Sequence, residues 1–262
     1  MSSVRDRAGA RPRGRHLLRS SALADSIVRD AGVQPSELVL DIGAGSGMLT
    51  LALLRAGARA RAIEPDRKLA GRLRRACPDA VVVEAEASAA QWPNESFRVV
   101  ANLPFAQATG ICGTLLSDPR VPLLSADVIV QWDAAVKRTR LWPSTLLGVL
   151  WGAWYELSLV RRIAPAAFAP VPSVAAAILR ARRRPEPLVP VRKAPAYEAF
   201  LRHAYRSGSL PSRARARAAD LGIDPRAGPR DLDARAWAAL WQETSASPRT
   251  VTRMTRRGRT RT

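Results

Sequence analysis

The apolar positions of the first two thirds of the chain fall into short buried runs separated by amphipathic segments. Glu37–Ile42 (ELVLDI), Arg59–Ile63, Ala80–Val83, Phe97–Ala101 and Asp127–Gln131 each have strand length and end at a glycine, an acid or a turn signal. Between them, Met48–Ala56, the stretch from Asp66 to Cys77, Thr109–Ser117 and Ala134–Arg138 carry helical periodicity, with Asp66 as a helix cap. Ser20 or Ser21 caps an earlier helix in which Leu23, Ile27 and Val28 share a face, and Glu84–Pro93 reads as a loop. Strand–helix alternation predicts a parallel, doubly wound sheet. Two later strands, Tyr155–Ile163 and Val174–Ala181, have no helix between them and predict an antiparallel pair at one edge. Pro185–Pro195 holds four prolines and reads as a stiff linker. Three short helices follow, over Tyr197–Tyr205, Arg213–Leu221 and Asp233–Gln242. The expected class is α/β, with a small C-terminal helical domain.

Charge changes that picture. The formal net charge is +20 over 262 residues, concentrated in Arg5–Arg19, Arg180–Lys193, Arg202–Arg217 and Arg249–Arg261. Clustering of this kind predicts a polyanionic partner, bound through counterion release and weakened by salt. Residues 1–14 and 245–262 lack apolar periodicity and read as a basic arm and a basic tail. No apolar run reaches membrane-spanning length, and Met1–Arg19 lacks the apolar core of a signal peptide. The two cysteines, Cys77 and Cys112, match no metal-ligand spacing and suit a reducing, cytoplasmic compartment; no metal is expected.

Two strand ends carry candidate chemistry. After Phe97–Ala101 come Asn102-Leu103-Pro104-Phe105. Pro104 rigidifies the turn, so an amide, the Leu103 carbonyl and an aromatic ring gather at one strand end. Asn102 Oδ1 and the Leu103 carbonyl can accept from the exocyclic amine of a flat base while Phe105 stacks on its face. Such acceptors favour the pyramidal amine with a localised lone pair, which is the nucleophile of an N-alkylation. The second strand end is Asp41-Ile-Gly43-Ala-Gly45-Ser-Gly47, directly between a strand and a helix. Its spacing differs from the dinucleotide and Walker fingerprints. Glu64, at the end of the next strand, is placed to accept from both hydroxyls of an adenosine ribose, and Glu86, past the third strand, from an adenine amine. Acids at these three places with the glycine loop indicate S-adenosylmethionine as the cofactor.

The ordered set DIGAGSG, AIEPD, EAEA and NLPF resembles the rRNA adenine N6-methyltransferase superfamily, which includes the Erm enzymes and the small-subunit dimethyladenosine transferases. Gly14-Arg15-His16-Leu17-Leu18 is similar to the N-terminal motif of these enzymes, and Phe168-Ala-Pro170-Val-Pro172-Ser-Val174 to their F-x-P-x-P-x-V segment. Val130-Gln-Trp132, Lys137-Arg138 and the stretch from Trp151 to Leu157 resemble the actinobacterial Erm branch. Arg15, Leu17 and Glu86 depart from the usual Gln, Phe and Asp; none of these changes removes an acceptor from the amine site. The resemblance implies a Rossmann-like, seven-stranded methyltransferase domain over 15–184 and a helical RNA-binding domain over 196–244. It implies cofactor contacts from His16, Leu18, Gly43, Gly45, Glu64, Glu86 and Asn102. Asn102, Leu103, Pro104 and Phe105 would receive the adenine. The implied reaction is N6-methylation of an adenine in 23S rRNA, with macrolide-type resistance as its result. A monomer acting on naked 23S rRNA or the assembling large subunit is expected. A 16S rRNA dimethyladenosine transferase and a catalytically silent rRNA-binding factor remain the alternative readings.

Overall fold

A computed structural model describes residues 16–89 and 91–245. The expected arm over 1–14, and the expected tail over 245–262 apart from Ser245, lie outside the described residues. The chain enters through a two-residue strand, β1 (Leu17–Leu18), and then α1 (Ser21–Ala31). Ser20 is the N-cap of α1, its Oγ accepting from Leu23 N, and Gly32 closes the helix in the left-handed conformation at φ 69°. Ala24, Ile27, Val28 and Ala31 form its buried face.

The alternation then follows as β2 (Leu38–Ile42), α2 (Met48–Arg55), β3 (Arg59–Ile63), α3 (Arg67–Ala76), β4 (Val81–Val83), β5 (Phe97–Asn102), α4 (Ala108–Leu116), β6 (Leu123–Gln131) and α5 (Trp132–Thr139). Asp66 caps α3 by accepting from Lys68 N and Leu69 N. Next come α6 (Leu146–Gly152), β7 (Tyr155–Ile163), β8 (Phe168–Ala169) and β9 (Ala176–Arg183), then α7 (Ala194–Ser207), α8 (Ser212–Ala218) and α9 (Ala234–Ser245).

Seven strands form one sheet in the order β4-β3-β2-β5-β6-β9-β7. The first five are parallel; β9 runs antiparallel to both β6 and β7. Every residue of β2 is buried, as a central parallel strand covered on both faces requires. From β2 the chain winds outward to β3 and β4, then returns to β5 on the other side. The crevice at this switch, beyond the carboxyl ends of β2 and β5, is where open α/β sheets bind ligands.

Two features have no local signature in the sequence. The seven residues of α6 (LLGVLWG) carry no polar face, so helical periodicity is invisible there. The β1–β8 pair joins Leu17 to Ala169 and Leu18 to Phe168, which lie about 150 residues apart in the chain. It ties the N-terminal segment across the crevice.

The C-terminal helices share the main core rather than forming a core of their own. Tyr197 on α7 packs edge-on against Trp154 at 6.0 Å and against Trp241 of α9 at 5.8 Å. The proline-rich stretch is held down on this core. Trp154 Nε1 donates to Val189 O at 2.8 Å, and Leu188 N to Ala153 O at 2.8 Å.

Three of the six basic residues in Arg180–Lys193 are spent inside the fold, while Arg182, Arg192 and Lys193 are exposed. Arg180 Nε donates to the buried carboxylate of Asp127 at 2.6 Å, and its Nη2 to Asp30 O. Arg183 donates to the carbonyls of Pro119, Val121 and Leu123 and to Tyr155 Oη. Arg184 reaches Gly152 O and Glu156. These three guanidinium groups pin strands and loops, so the charge clusters of the sequence overstate the free positive surface.

Candidate active site

The loop between β2 and α2 is tight because Gly43, Gly45 and Gly47 all have positive φ, at 72°, 56° and 84°. A side chain would also crowd its neighbours at all three, with a Cβ on Gly47 2.8 Å from Leu73 Cδ2. A Cβ on Gly43 would lie 3.2 Å from Pro104 Cδ, and one on Gly45 would lie 2.6 Å from Leu17 Cδ2. The glycine loop therefore touches the turn after β5 on one side and β1 on the other.

Glu64 holds this loop from beneath. It is buried at the end of β3; its Oε2 accepts from Gly45 N at 2.9 Å and its Oε1 from Asp66 N at 2.9 Å. Asp41, at the end of β2, is also buried, and burial pushes its carboxyl up to about 7 against the lowering effect of the Thr50 hydroxyl. Thr50 Oγ1 donates to Asp41 Oδ2 at 2.7 Å.

Asn102 ends β5. Its Nδ2 donates to His16 O at 2.6 Å, while its buried Oδ1 has no hydrogen-bond partner among the described residues. An orphaned buried acceptor costs about 1–3 kcal/mol, so this oxygen is suited to a donor that the protein does not supply. Leu103 is buried, with its N–H on Ile129 O at 3.2 Å, and Pro104 O accepts from Gln107 N at 2.9 Å.

These groups converge on a cavity of about 300 Å³. His16, Gly43, Glu64, Glu86, Asn102, Leu103 and Pro104 all line it. Of the two neighbouring acids after β4, Glu86 lines the cavity, while Glu84 faces Arg74 at 3.7 Å. Three expected residues lie outside the lining. Gly45 sits beneath Leu17, and Leu18 is buried in the β1–β8 pair. Phe105 packs beside the cavity, 5.2 Å from the His16 ring and edge-on to Phe168 at 6.2 Å. His16 Nδ1 lies 2.8 Å from Pro170 O, so the F-x-P-x-P segment and the N-terminal segment brace each other.

Sequence reasoning passed over Leu17, Asp66, Ala87, Gln107 and Ile111, which also line the cavity. Leu17, Asp66 and Ala87 lie inside the motifs GRHLL, AIEPD and EAEA, which was the available signal for them. Gln107 and Ile111 come into reach only because α4 starts directly after the Pro104 turn.

The cavity fits S-adenosylmethionine. Ile63, Ala87 and Ile111 offer apolar walls for a purine, Glu64 and Glu86 offer acceptors for ribose and amine, and the glycine loop permits close backbone approach. At the edge of this cavity, Asn102 Oδ1 is a buried acceptor without a partner among the described residues.

Comparison with known proteins agrees with this chemistry. A family model described as ribosomal RNA adenine dimethylase matches residues 10–208. The mycinamicin-resistance protein MyrB of Micromonospora griseorubida is 34% identical over 265 residues, covering 92% of this chain and 85% of that protein. An rRNA methyltransferase of Streptomyces thermotolerans is 37% identical over 186 residues, covering 69% of this chain and 61% of that protein. Among solved structures, the 23S rRNA methyltransferase ErmE superposes with a TM-score of 0.74 at 26% identity, covering 88% of this chain and all of that one. The chain belongs to the ribosomal RNA adenine dimethylase family.

Proposed function

We propose that this protein transfers methyl groups from S-adenosylmethionine to N6 of an adenine in 23S rRNA, and that the modification confers macrolide-type resistance. The observation that carries the reading is the Asn102 amide. Its nitrogen is held by His16 O, which leaves an unpartnered oxygen beside a cavity lined by Gly43, Glu64 and Glu86. The names of MyrB and ErmE support the resistance and the 23S target respectively.

In this reading the target adenine leaves its stack and enters beside Phe105. Asn102 Oδ1 and the Leu103 carbonyl accept from its amine and localise the nitrogen lone pair. Pro104 fixes the turn that aims both acceptors. Glu64 and Glu86 bind the cofactor's ribose and adenine, and Gly43 and Gly45 let it approach the backbone, under a cover formed by His16 through Leu18. When bound, the cofactor supplies an electrophilic sulfonium methyl. Alignment and lone-pair localisation then suffice, and no residue of the chain is needed as a dedicated base.

The helical segment 196–244 and the basic ends 1–14 and 245–262 supply further RNA contacts. The protein works as a monomer in the cytoplasm, on naked 23S rRNA or the assembling large subunit. Among the described residues no helix is long and apolar enough to cross a membrane.

Incubation with labelled cofactor and separated 23S and 16S rRNA, followed by primer extension, tests the reading. The expected result is label and a reverse-transcriptase stop in 23S rRNA, lost in Asn102→Ala. A stop confined to 16S rRNA would assign the protein to ribosome assembly, and no label in either RNA would leave a binding factor.

A further inference from the structure

Beyond the adenine site, one surface loop combines features that the fold does not need. Residues 140–145 join α5 to α6 and are tied to the turn at 229–231: Trp142 Nε1 donates to Asp231 O at 2.9 Å and Ser144 N to Arg230 O at 2.7 Å. Ser144 Oγ also lies 2.7 Å from Tyr205 Oη. The loop is thus fixed at both ends, yet Leu141 and Trp142 are 54% and 60% exposed. The one polar atom of the indole is satisfied while its ring stays largely open, so the tryptophan is fixed with much of its face exposed.

Behind the loop lies a pocket of about 100 Å³, lined in part by Arg138, Arg140, Ser144, Thr145 and Arg184. Arg138 is half-buried, with its guanidinium 5.7 Å from the Trp151 ring centre and only a long contact, 3.4 Å, to Thr145 Oγ1. It forms no ion pair with any described residue, and burial pulls its pKa below the ordinary arginine value. A partly desolvated cation without a carboxylate is a receptor for an anion. The acids nearby are engaged: Asp233 accepts from Ala236 N, Asp231 from Gly228 N, and Glu156 pairs with Arg184.

One helix leads from the active-site end of the sheet to this pocket, whose Tyr155 and Arg184 lie level with the amino end of β6, the end opposite Asn102. Helix α5 begins at the end of β6, beside Asn102 in the sheet, and its eight residues run about 12 Å to the loop. Arg162 lies over Trp132 at the start of the helix, 5.2 Å from the ring centre, and Lys137 is exposed near its end.

We propose that this loop and pocket hold one unpaired nucleotide of the RNA substrate, outside the target adenine. Its base stacks on Trp142 and its phosphate lies against Arg138 and Arg140. The inference rests on the RNA-methyltransferase reading and adds a second, sequence-tolerant anchor to it.

The test uses the full chain with three probes: a transcript of the 23S peptidyl-transferase loop, a single-stranded uridine 12-mer and a fully paired RNA duplex. Trp142→Ala is expected to weaken binding of the first two by about tenfold and to leave the duplex unchanged, while Trp142→Phe stays within about twofold of the parent. Arg140→Ala, on an exposed residue, is expected to lower the salt slope for the uridine probe by about 0.7. The apparent KM for the transcript should rise in step with the loss of affinity. Parent-like affinity and salt slope in both Trp142→Ala and Arg140→Ala would overturn the proposal, as would an equal loss on the duplex. If Trp142→Ala does not fold, an unchanged Arg140→Ala is sufficient to overturn it. A parent that binds the RNAs and methylates while these variants match it sinks this anchor alone. A parent that binds neither single-stranded probe removes the RNA reading beneath it.

Discussion

The two halves of the sheet use their polar side chains in opposite ways. Around β2, β3 and β5 the buried strand-end polar groups border a cavity: Asn102 Oδ1 lacks a partner among the described residues, and Glu64 lines the cavity while holding two backbone N–H groups. Across β6, β9 and β7 the polar groups close on each other, with Arg180 on Asp127 and Arg183 on three backbone carbonyls and Tyr155. The Asn102 oxygen keeps its hydrogen-bonding potential at the cavity, whereas Arg180 and Arg183 spend theirs inside the fold. High local charge in a sequence is therefore a poor guide to which half meets the substrate.

Breaking the closed half should give the largest effect on stability. The Asp127 side chain is only 2% exposed and that of Arg180 15%, so Arg180→Ala leaves a buried carboxylate uncompensated, at a cost of about 3–5 kcal/mol. Burial already raises the Asp127 carboxyl despite Arg180, which shows how little solvent could take over. Thermal or denaturant melts should record that loss. The double variant Arg180→Met with Asp127→Leu should regain most of it, with a parent-like salt slope for RNA. A lowered slope in the folded double variant would mean that Arg180 meets phosphate after all.

The open half should answer in activity instead. Asn102→Ala removes the acceptor for the amine, and loss of one such transition-state contact costs about 10²–10³ in rate. Methyl incorporation should fall by that factor while the melting temperature moves by a few degrees at most, because Oδ1 bonds no described residue and Nδ2 makes a single bond, to His16 O. A large drop in melting temperature would show that the bond from Asn102 Nδ2 to His16 O is what the residue is for.

This contrast also marks how far the sequence could be read. Motifs that are contiguous and end a strand were legible: Gly43–Gly47, Glu64, Glu86 and Asn102–Phe105 lie at or just beyond strand ends, as their spacing predicts. Strand β6 starts at Leu123, earlier than the expected Asp127, and the polar Ser125 within that stretch is buried by its tertiary partner Arg98. The helix α6 was missed for want of a polar face. The N-terminal pairing was readable only through resemblance, since β1 and β8 pair over a separation that no local pattern encodes. The fate of the arginines is a tertiary fact as well, because carbonyl acceptors leave no trace in sequence.

Glu64 sharpens the comparison at intermediate size. Glu64→Gln keeps the shape and one acceptor oxygen but loses the charge that strengthens every bond to it. Charge-assisted hydrogen bonds are worth about 1.5–3 kcal/mol, so calorimetry should find cofactor affinity reduced by tenfold or more, with RNA affinity near the parent value. Unchanged cofactor affinity would place the ribose on another acid and leave Glu64 as a purely structural clasp for Gly45 and Asp66.

The smallest effect should come from Gly45→Ala, and its sign tests whether β1 belongs to the open half. At φ 56° a left-handed alanine costs about 1–2 kcal/mol relative to glycine. The new Cβ would also lie 2.6 Å from Leu17 Cδ2, which is the far end of a flexible side chain, so β1 can yield without displacing β2 or α2. Strain relief should push Leu17 away and loosen β1 on β8, while the Gly45 N to Glu64 bond holds the loop in place. A melting temperature lower by a few degrees and cofactor affinity weakened by about tenfold are expected. Shortening Leu17 as well, in Gly45→Ala with Leu17→Ala, should recover stability more than affinity, because the clash is gone but the cover over the cavity is thinner. If the double variant regains neither, the left-handed backbone alone carries the cost, and Leu17 is a bystander rather than part of the site.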